Sequence, residues 1–456
     1  MAFDDPNLVS SAGLVPTLAL AESAGLRDLA DEHLTVPSDK GANPGLKVAS
    51  LVGGMVAGAD SIDDMAVLRH GGMGRVVTNA YAPSTLGSFL RAFTFGHVRQ
   101  LDAVASRFLT RLGARAPLIA TPPDGEPVMV DIDDTIIEVH GYDKQGTGFG
   151  YSGVRGLNAL LATASTTESA PVIVAQRLRK GSCGSPRGAK RLIADALTTV
   201  RSLAAGEVLV RADSAFYGAD TINAALRAGA DVSVTARMDP KVKAAITTIE
   251  ANAWTPIEYT DAVFDEATGR WISRAEVAET PFTAFTSRKK AEHVTGRLVV
   301  RRIPDFNAEK KRAAGQGTLF DTWRFHAFFT TTDPDLADTV AADKTHRGHA
   351  VIEQVHADLK NSALAHLPSG KFAANSAWLV LAVIAFNLTR AAASLSGPTL
   401  AKATTATIRR KLIAVSARVA TSARRITLHL PKAWPWQAAW TALFDRVADP
   451  PTILTT

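Results

Sequence analysis

The chain has 456 residues, of which 46% are hydrophobic and 21% are charged; this composition is typical of a folded protein and not of a disordered one. Its length predicts two to four domains. A single cysteine, Cys183, excludes an internal disulfide and a cysteine metal cluster. The longest strongly apolar run, Trp378 to Phe386, is about half as long as a membrane span and predicts a buried helix. With no secretory signal visible, we expect a cytoplasmic protein without membrane contact.

The net charge is +6, and the basic residues are unevenly distributed. Residues 1–120 hold 10 Lys and Arg against 11 Asp and Glu, whereas residues 397–456 hold 9 against 2. Further basic runs contain Arg177, Arg179, Lys180 and Arg187; Arg288, Lys289 and Lys290; Arg301, Arg302, Lys310, Lys311 and Arg312; and, in the tail, Arg409, Arg410, Lys411, Arg418, Arg424 and Arg425. Such runs are usually solvated faces, but several of them around one site indicate a phosphate-binding surface.

The first 120 residues predict short helices. Apolar residues recur at helical spacing through Leu46–Val56 and Leu86–Leu109, and Asp60–Ser61 and Pro83–Ser84 have the composition of helix breaks or caps. This pattern fits a helix-turn-helix and a plain helical packing domain equally well.

Strands then alternate with helices. The predicted strands are Val128–Asp133, a segment around Gly150–Ala159, Val172–Leu178, Glu207–Ala212 and Asp231–Ala236, and the predicted helices are Ala189–Leu203 and Ala219–Ala228. Three strands followed by alternating helices and strands predict a mixed sheet flanked by helices, an α/β architecture.

The remainder divides into three parts. Residues 251–330 predict a mainly β segment, with strands at Ile257–Tyr259, Arg297–Arg302 and Trp323–Phe329. Helices are predicted at Thr345–Lys360 and, strongly apolar, at Ala373–Ala393. The basic tail beyond is predicted to be helical.

Acidic residues follow two of the predicted strands. Alternation places Asp131 and Asp133 on one face, with Asp134 at the turn, and Asp213 ends a second apolar strand. Each cluster alone fits a solvated turn or a helix cap. Two strands of one sheet that deliver an Asp at the same end favour a site, because catalytic groups gather at such edges.

One predicted helix carries a polar stripe. The residues His346, His349, Glu353, His356 and Lys360 are spaced to share one helix face. A solvated face is the ordinary explanation for such a stripe. Carboxylates of Asp133, Asp213 and Glu353, from two strands and a helix, suit Mg²⁺ or Mn²⁺, which prefer oxygen ligands.

These motifs resemble those of the bacterial insertion-sequence DDE transposases, over about residues 125–395. Asp133-Asp134-Thr135 is similar to the Asp-x-Thr strand end of the family, which selects Asp133 rather than Asp134. Asp213-Ser214-Ala215-Phe216-Tyr217 is similar to its Asp with an aromatic turn. Glu353 and Lys360 match the spacing of its Tyr-x2-Arg-x3-Glu-x6-Lys signature, with His346 at the Tyr position and His349 at the Arg position.

The resemblance implies a domain organisation. The catalytic domain, RNase H-like, would comprise 121–250 and 331–395, interrupted by a β-rich insertion at 251–330. A helical N-terminal domain, 1–120, would bind DNA or dimerise, and 396–456 would form a basic C-terminal helical region.

It also implies cut-and-paste transposition. Asp133, Asp213 and Glu353 would hold two Mg²⁺ ions, replaceable by Mn²⁺, that activate water to cut a DNA strand; the freed 3′-OH would then attack a second phosphodiester. The partners would be double-stranded DNA, as terminal inverted repeats and as target, with a homodimer on the DNA.

Residues for DNA contact are expected near these carboxylates. The candidates are Lys360, Arg347, His349, His346, Arg179 and Lys180. Family members with a β insertion stack an aromatic side chain on a flipped base, for which Trp254, Trp271 and Trp323 are candidates here, although each fits a core position as well.

Three other functions remain open. A zinc hydrolase would use His349, Glu353 and His356, but the two His are seven residues apart, too far for one ion to take both easily. A non-enzymatic DNA-binding protein, or an inactive transposase relic, would need only the N-terminal helices and the tail. A structure-specific nuclease would share the carboxylates without joining strands.

Overall fold

The computed structural model describes residues 1–37, 39–123, 125–141, 144–265, 270–304, 323–422 and 425–447. A short strand and six helices form the N-terminal part: β1 Leu8–Val9, α1 Leu14–Ser23, α2 Leu26–His33, α3 Pro44–Ala57, α4 Met73–Val76, α5 Pro83–Arg91 and α6 Phe95–Gly113. The helix predicted at Leu86–Leu109 is in fact α5 and α6, because Thr94 forms a capping box with His97 and starts a new helix there.

Ten strands form one mixed sheet. Their bounds are β2 Val128–Glu138, β3 Gly148–Phe149, β4 Arg155–Ser165, β5 Val172–Lys180, β6 Val208–Ala212, β7 Asp231–Thr235, β8 Thr255–Asp265, β9 Arg270–Ala284, β10 Val294–Pro304 and β11 Trp323–Thr330. The helices between them are α7 Ala189–Leu203, α8 Ala219–Arg227 and α9 Pro240–Thr247. The predicted mixed α/β architecture is confirmed.

The order across the sheet is β4-β2-β6-β7-β11-β10-β9-β8, with β3 and β5 both pairing with β4. β2, β6 and β7 are parallel neighbours, and the other pairs are antiparallel. Strands β8 to β11 supply the predicted β-rich segment, and β11 joins them to the main sheet through β7.

β2 differs from its prediction in length. The strand was expected to end near Asp133, but it runs to Glu138 because β4 pairs with it as far as Glu138. β6 pairs only with Val128 to Ile132. From Asp133 onward β2 therefore has β4 along one side, and Asp134 lies within the strand and not at a turn.

The helix predicted at Thr345–Lys360 is interrupted. It consists of α10 Thr339–Arg347, a 3₁₀ turn at Gly348–Ala350 and α11 Val351–Lys360. The Arg211 guanidinium donates to the Thr345 carbonyl at this break, and a Cβ on Gly348 would lie 2.7 Å from that guanidinium. A side chain inserted into the backbone ladder is a known cause of such kinks.

α12, Phe372–Leu395, lies at the centre of the molecule. It packs against α3 and α6 on the N-terminal side and against β5 of the sheet. Trp378 is fully buried and donates its indole N–H to the Ala363 carbonyl. Among the described residues α12 is the one helix long and apolar enough to cross a membrane, and 89% of its apolar stretch is buried inside the protein, as predicted for a buried helix.

The C-terminal region is not wholly helical, as had been expected. It contains α13 Pro398–Ala401, α14 Thr405–Ile408, a π-helical turn, β12 Ala417–Ser422, β13 Arg425–His429 and α15 Gln437–Arg446. β12 and β13 form a three-stranded antiparallel sheet with β1. The strands form here because β1, from the other end of the chain, supplies the third strand.

Candidate active site

Parallel pairing brings two of the predicted aspartates to one face of the sheet. Asp131 on β2 lies opposite Arg211 on β6, and side chains alternate along a strand. Asp133 and Asp213, each two residues further on, therefore share the face of that pair. Both carboxylates also bind nearby backbone: Asp133 accepts from the Asp134 N–H at 2.7 Å and Asp213 from the Ala215 N–H at 3.0 Å.

The two carboxylates repel each other. Burial raises the pKa of Asp213 above its ordinary value, and the negative charge of Asp133 raises it further. The Ala215 N–H and His349 lower the same pKa. Because two neighbouring carboxylates repel each other, binding of a cation between them is favoured.

α11 covers this face of the sheet. His349, at the 3₁₀ turn before it, has its Nδ1 3.0 Å from the Asp131 carboxylate, and His356 Nε2 lies 3.4 Å from the Asp133 carboxylate. His356 is buried, and neither of its ring nitrogens has a hydrogen-bond partner. Lys360, on the same helix, lines a cleft together with Thr135 of β2, two residues beyond Asp133; burial lowers its pKa, and the charge of Asp133 raises it.

Glu353 lies between His349 and His356 on the same helix face and is exposed. The third predicted carboxylate thus belongs to the helix that contacts β2. In the part of the chain that the structure describes, no three His, Cys, Asp or Glu side chains already converge as metal ligands.

A buried ionic network connects the three elements. Arg211 donates from Nε and Nη2 to the two oxygens of Asp131, each at 2.7 Å. His349 bonds the same carboxylate, and Arg211 also binds the Thr345 carbonyl. Sequence reasoning missed this network; the signal was a charged Arg211 inside the apolar strand Val208–Ala212, which requires a buried partner.

Asp134 has a different environment from Asp133. It is buried and accepts from Asn158 and from Arg179, the latter at 2.6 Å. Arg179 also donates to Asn158 and to the carbonyls of Ser185 and Arg187. The expected DNA contact by Arg179 is therefore wrong, because its guanidinium is buried and bonded inside the protein.

His346 is also occupied within the protein. Its ring nitrogens lie 2.8 Å from the Ser233 hydroxyl and 3.0 Å from the Thr235 hydroxyl, and the ring stacks on Phe328 at 4.1 Å. Burial lowers its pKa to about 3. The expected DNA contact by His346 is wrong, because the kink places it on α10 against β7.

Of the other basic residues predicted near DNA, some are exposed and others are paired with acidic residues of the protein. Lys180, at the end of β5, is exposed, and Arg347 forms an ion pair with Asp343. Arg177 is bonded to Asp102 and Asp195. Arg288, Lys289 and Lys290 are exposed, whereas Lys310, Lys311, Arg312 and Arg424 lie outside the described residues.

Two of the three tryptophans stack on one arginine. The Arg302 guanidinium lies 4.1 Å from the Trp254 ring and 4.4 Å from the Trp323 ring, and it is paired with Glu276. Both rings are half-buried and have Arg302 as a packing partner, and whether either ring stacks on a base stays a prediction. The side chain of Trp271 lies outside the described residues.

Comparison with known families decides what kind of protein carries this site. The model of the family described as "Transposase DDE domain group 1" matches residues 1–452. The chain belongs to this family of DDE transposases. The expectation drawn from the carboxylate motifs is thereby confirmed.

The DDE transposase is also similar to one solved structure described as a cryo-EM structure of the piggyBac transposase synaptic complex with hairpin DNA. The identity is 9%, the TM-score is 0.43, and the alignment covers 97% of this chain and 83% of that chain. No curated protein matches this transposase.

Proposed function

We propose that this transposase cuts and rejoins DNA at a centre formed by Asp133, Asp213 and Glu353. The observation that carries the proposal is the juxtaposition of Asp133 on β2 and Asp213 directly after the parallel strand β6, where burial and then the charge of Asp133 raise the pKa of Asp213. Asp131 and Asp134, by contrast, are each neutralised by the guanidinium of a buried arginine, as a structural aspartate requires.

The donor set fits divalent metal ions of the hard class. All three side chains offer carboxylate oxygens, the ligands that Mg²⁺ and Mn²⁺ prefer, and the repulsion between Asp133 and Asp213 is what a cation relieves. Two such ions, when bound, supply an activated attacking oxygen and stabilise the departing oxygen of a phosphodiester. Zinc held by His349, Glu353 and His356 fits less well, because His349 is already bonded to Asp131.

The chain's own residues position the DNA. Lys360 presents a cationic group beside Asp133, where it would hold a phosphate near the scissile bond. Exposed Lys180 would contribute affinity without reading sequence. His349 is paired with Asp131, and Arg347 is paired with Asp343. Either residue would contact DNA while keeping its acidic partner.

The substrate would be the terminal inverted repeats of the transposable element, followed by target DNA. Water would cleave a strand at the element end, and the resulting 3′-OH would attack a second phosphodiester. Because two ends have to be joined together, a homodimer would assemble on the DNA.

Cleavage of a labelled duplex that carries the element's terminal repeat tests the proposal. We expect Mg²⁺-dependent cutting by the wild-type protein, none with EDTA, and loss of cutting by Asp213→Asn with DNA affinity retained. The matched control is Asp220→Asn, an exposed carboxylate on α8, which should cut normally.

Two results would contradict it. DNA binding without cutting by the wild-type protein, in Mg²⁺ and in Mn²⁺, would indicate a non-enzymatic DNA-binding protein. Cutting without strand transfer to a second duplex would indicate a nuclease.

A further inference from the structure

Two exposed aromatic side chains lie two residues apart in the chain, at the end of β3 and just beyond it. Phe149, the last residue of β3, is 67% exposed, and Tyr151, in the connection between β3 and β4, is 72% exposed. The Tyr151 hydroxyl lies 3.3 Å from the Asp134 carbonyl, to which it donates. This contact fixes the ring next to the segment of β2 that extends beyond β6.

The connection that carries these rings is held by close backbone contacts. A Cβ on Gly150 would lie 2.8 Å from the Gly181 carbonyl, so this loop is pressed against the end of β5. Gly153 donates to the Gly150 carbonyl in a turn and has a φ of +70°, which favours glycine. Phe149 and Tyr151 are therefore presented on a defined turn, although their rings face solvent.

A cleft of about 340 Å³ lies against Tyr151. Its walls include Thr135, Ile136 and Glu138 of β2, Val154 of the turn, and Lys360 of α11, so one carboxylate and one ammonium group line it. The cleft thus combines an aromatic ring with an ammonium group that lies near Asp133. A nucleotide offers the matching pair of groups, a flat base and a phosphate.

The position of the cleft indicates which molecule would bind in it. The Tyr151 hydroxyl donates to the carbonyl of Asp134, the neighbour of Asp133, so the ring borders the centre where DNA would be cut. Aromatic rings stack on bases of any sequence, and Lys360 would hold the adjoining phosphate.

We propose that Phe149 and Tyr151 form a stacking platform for unpaired bases next to the cleaved phosphodiester. The proposal rests on the proposed function, since it needs DNA at the carboxylates. Base stacking is thereby assigned to residues at the end of β3 and in the turn after it. The sequence analysis had instead suggested tryptophans of the β-rich segment.

Full-length protein and two DNA probes of arbitrary sequence test this platform. One probe is a blunt 20-base-pair duplex, and the other carries a four-nucleotide 3′ overhang of 5-iododeoxyuridine; both are used with Ca²⁺ in place of Mg²⁺. Binding is measured by fluorescence anisotropy at several salt concentrations, and ultraviolet cross-links are mapped by mass spectrometry.

We expect cross-links at Tyr151 or Phe149. Tyr151→Ala and Phe149→Ala should each weaken binding of the overhang probe roughly five- to one-hundredfold, with the blunt probe little affected and the salt dependence unchanged. Tyr151→Phe, which keeps the ring, should bind normally. Phe95→Ala removes an aromatic side chain that is 74% exposed at the start of α6 and is the matched control.

Lys360→Ala gives a different signature. It should weaken both probes and lower the slope of log affinity against log salt by about one, because it removes a phosphate contact and not a stacking surface.

Three results would overturn the platform. The first is wild-type affinity of both alanine variants for the overhang probe, with cross-links elsewhere, while the wild-type protein still cuts DNA; this leaves the proposed function intact. The second is a changed oligomeric state of Tyr151→Ala at unchanged DNA affinity, which would assign the rings to a contact between copies of the chain. The third is failure of the wild-type protein to bind either probe or to cut DNA, which would remove the proposed function as well.

Discussion

At the scale of single residues, the adjacent Asp133 and Asp134 have opposite environments. A strand turns successive side chains to opposite faces, so Asp133 faces α11 and Asp213, whereas Asp134 faces Asn158 and Arg179. One carboxylate lacks a cationic partner within the sheet, and the other has one that is fully engaged. Identical chemistry at adjacent positions thus stabilises the fold in one case and is available to the proposed site in the other.

Asparagine substitutions separate these two roles. Asp134→Asn should lower the free energy of unfolding by about 3–5 kcal/mol, because it leaves the Arg179 guanidinium buried without a counter-charge. Asp133→Asn should leave stability unchanged or raise it, because it removes repulsion with Asp213, and should abolish cleavage. Urea denaturation and the cleavage assay measure both effects.

The opposite pattern would reassign the catalytic aspartate. If Asp134→Asn folded with wild-type stability but did not cut DNA, Asp134 would be the better candidate, and the Asp-x-Thr register would have misled the assignment.

At the scale of elements, one ionic network sets how β2, β6 and α11 meet. Asp131 and Arg211 each lie two residues before a proposed catalytic aspartate, and His349 lies four residues before Glu353. Arg211 also donates a hydrogen bond to the Thr345 carbonyl, and its guanidinium occupies the space beside Gly348. The kink between α10 and α11 and the position of Glu353 therefore depend on a residue that binds no substrate.

A double-mutant cycle tests this network. Arg211→Met and Asp131→Leu should each lower the free energy of unfolding by about 3–5 kcal/mol, since each leaves one buried charge unpaired. The double variant should cost much less than the sum, because no buried charge remains. It should nevertheless cut DNA more slowly than wild type, since β2, β6 and α11 lose their common anchor.

The measurements are urea denaturation of all four proteins and single-turnover cleavage of the wild type and the double variant. Additive losses of stability would show that the Asp131–Arg211 pair does not hold these elements together. Unchanged cleavage by a stable double variant would show that it does not position the carboxylates.

At the scale of the whole molecule, the N-terminal helices and the sheet share a core. One cluster of buried apolar residues runs from Val9 to Val447, and α12 contacts α3 and α6 on one side and β5 on the other. The boundaries proposed from sequence at 120 and 396 stay predictions about function. The packing, however, is continuous across both.

Deletion of residues 1–120 tests this continuity. We expect the remaining chain to aggregate or to unfold without cooperativity, because the deletion uncovers the α12 surface that α3 and α6 bury. Size-exclusion chromatography, thermal unfolding by circular dichroism and dye binding to exposed apolar surface measure the outcome. A monodisperse fragment with a sharp thermal transition would instead establish the N-terminal part as a separable domain.

Local patterns were sufficient for most elements, and the choice of site stays a prediction. The helix at Ala189–Leu203 was predicted at its observed bounds because its apolar stripe has helical spacing. Asp133, Asp213 and Glu353 were selected from short motifs, and the fold places them on two neighbouring strands and the helix that covers them. Arg179 and His346 were misjudged because a basic residue in the sequence does not reveal whether its partner is solvent or a buried acid.

The sequence by itself determined the mixed α/β architecture and the family, since these depend on periodicity and on short motifs. Tertiary structure alone decided which charges are used internally. Two examples join segments that are distant in the chain: the pairing of Asp131 with Arg211 and the kink at Gly348. The exposure of Phe149 and Tyr151 is a third feature that depends on how the whole chain packs. The physical reason is that burial and charge pairing are properties of neighbours in space, which no local pattern specifies.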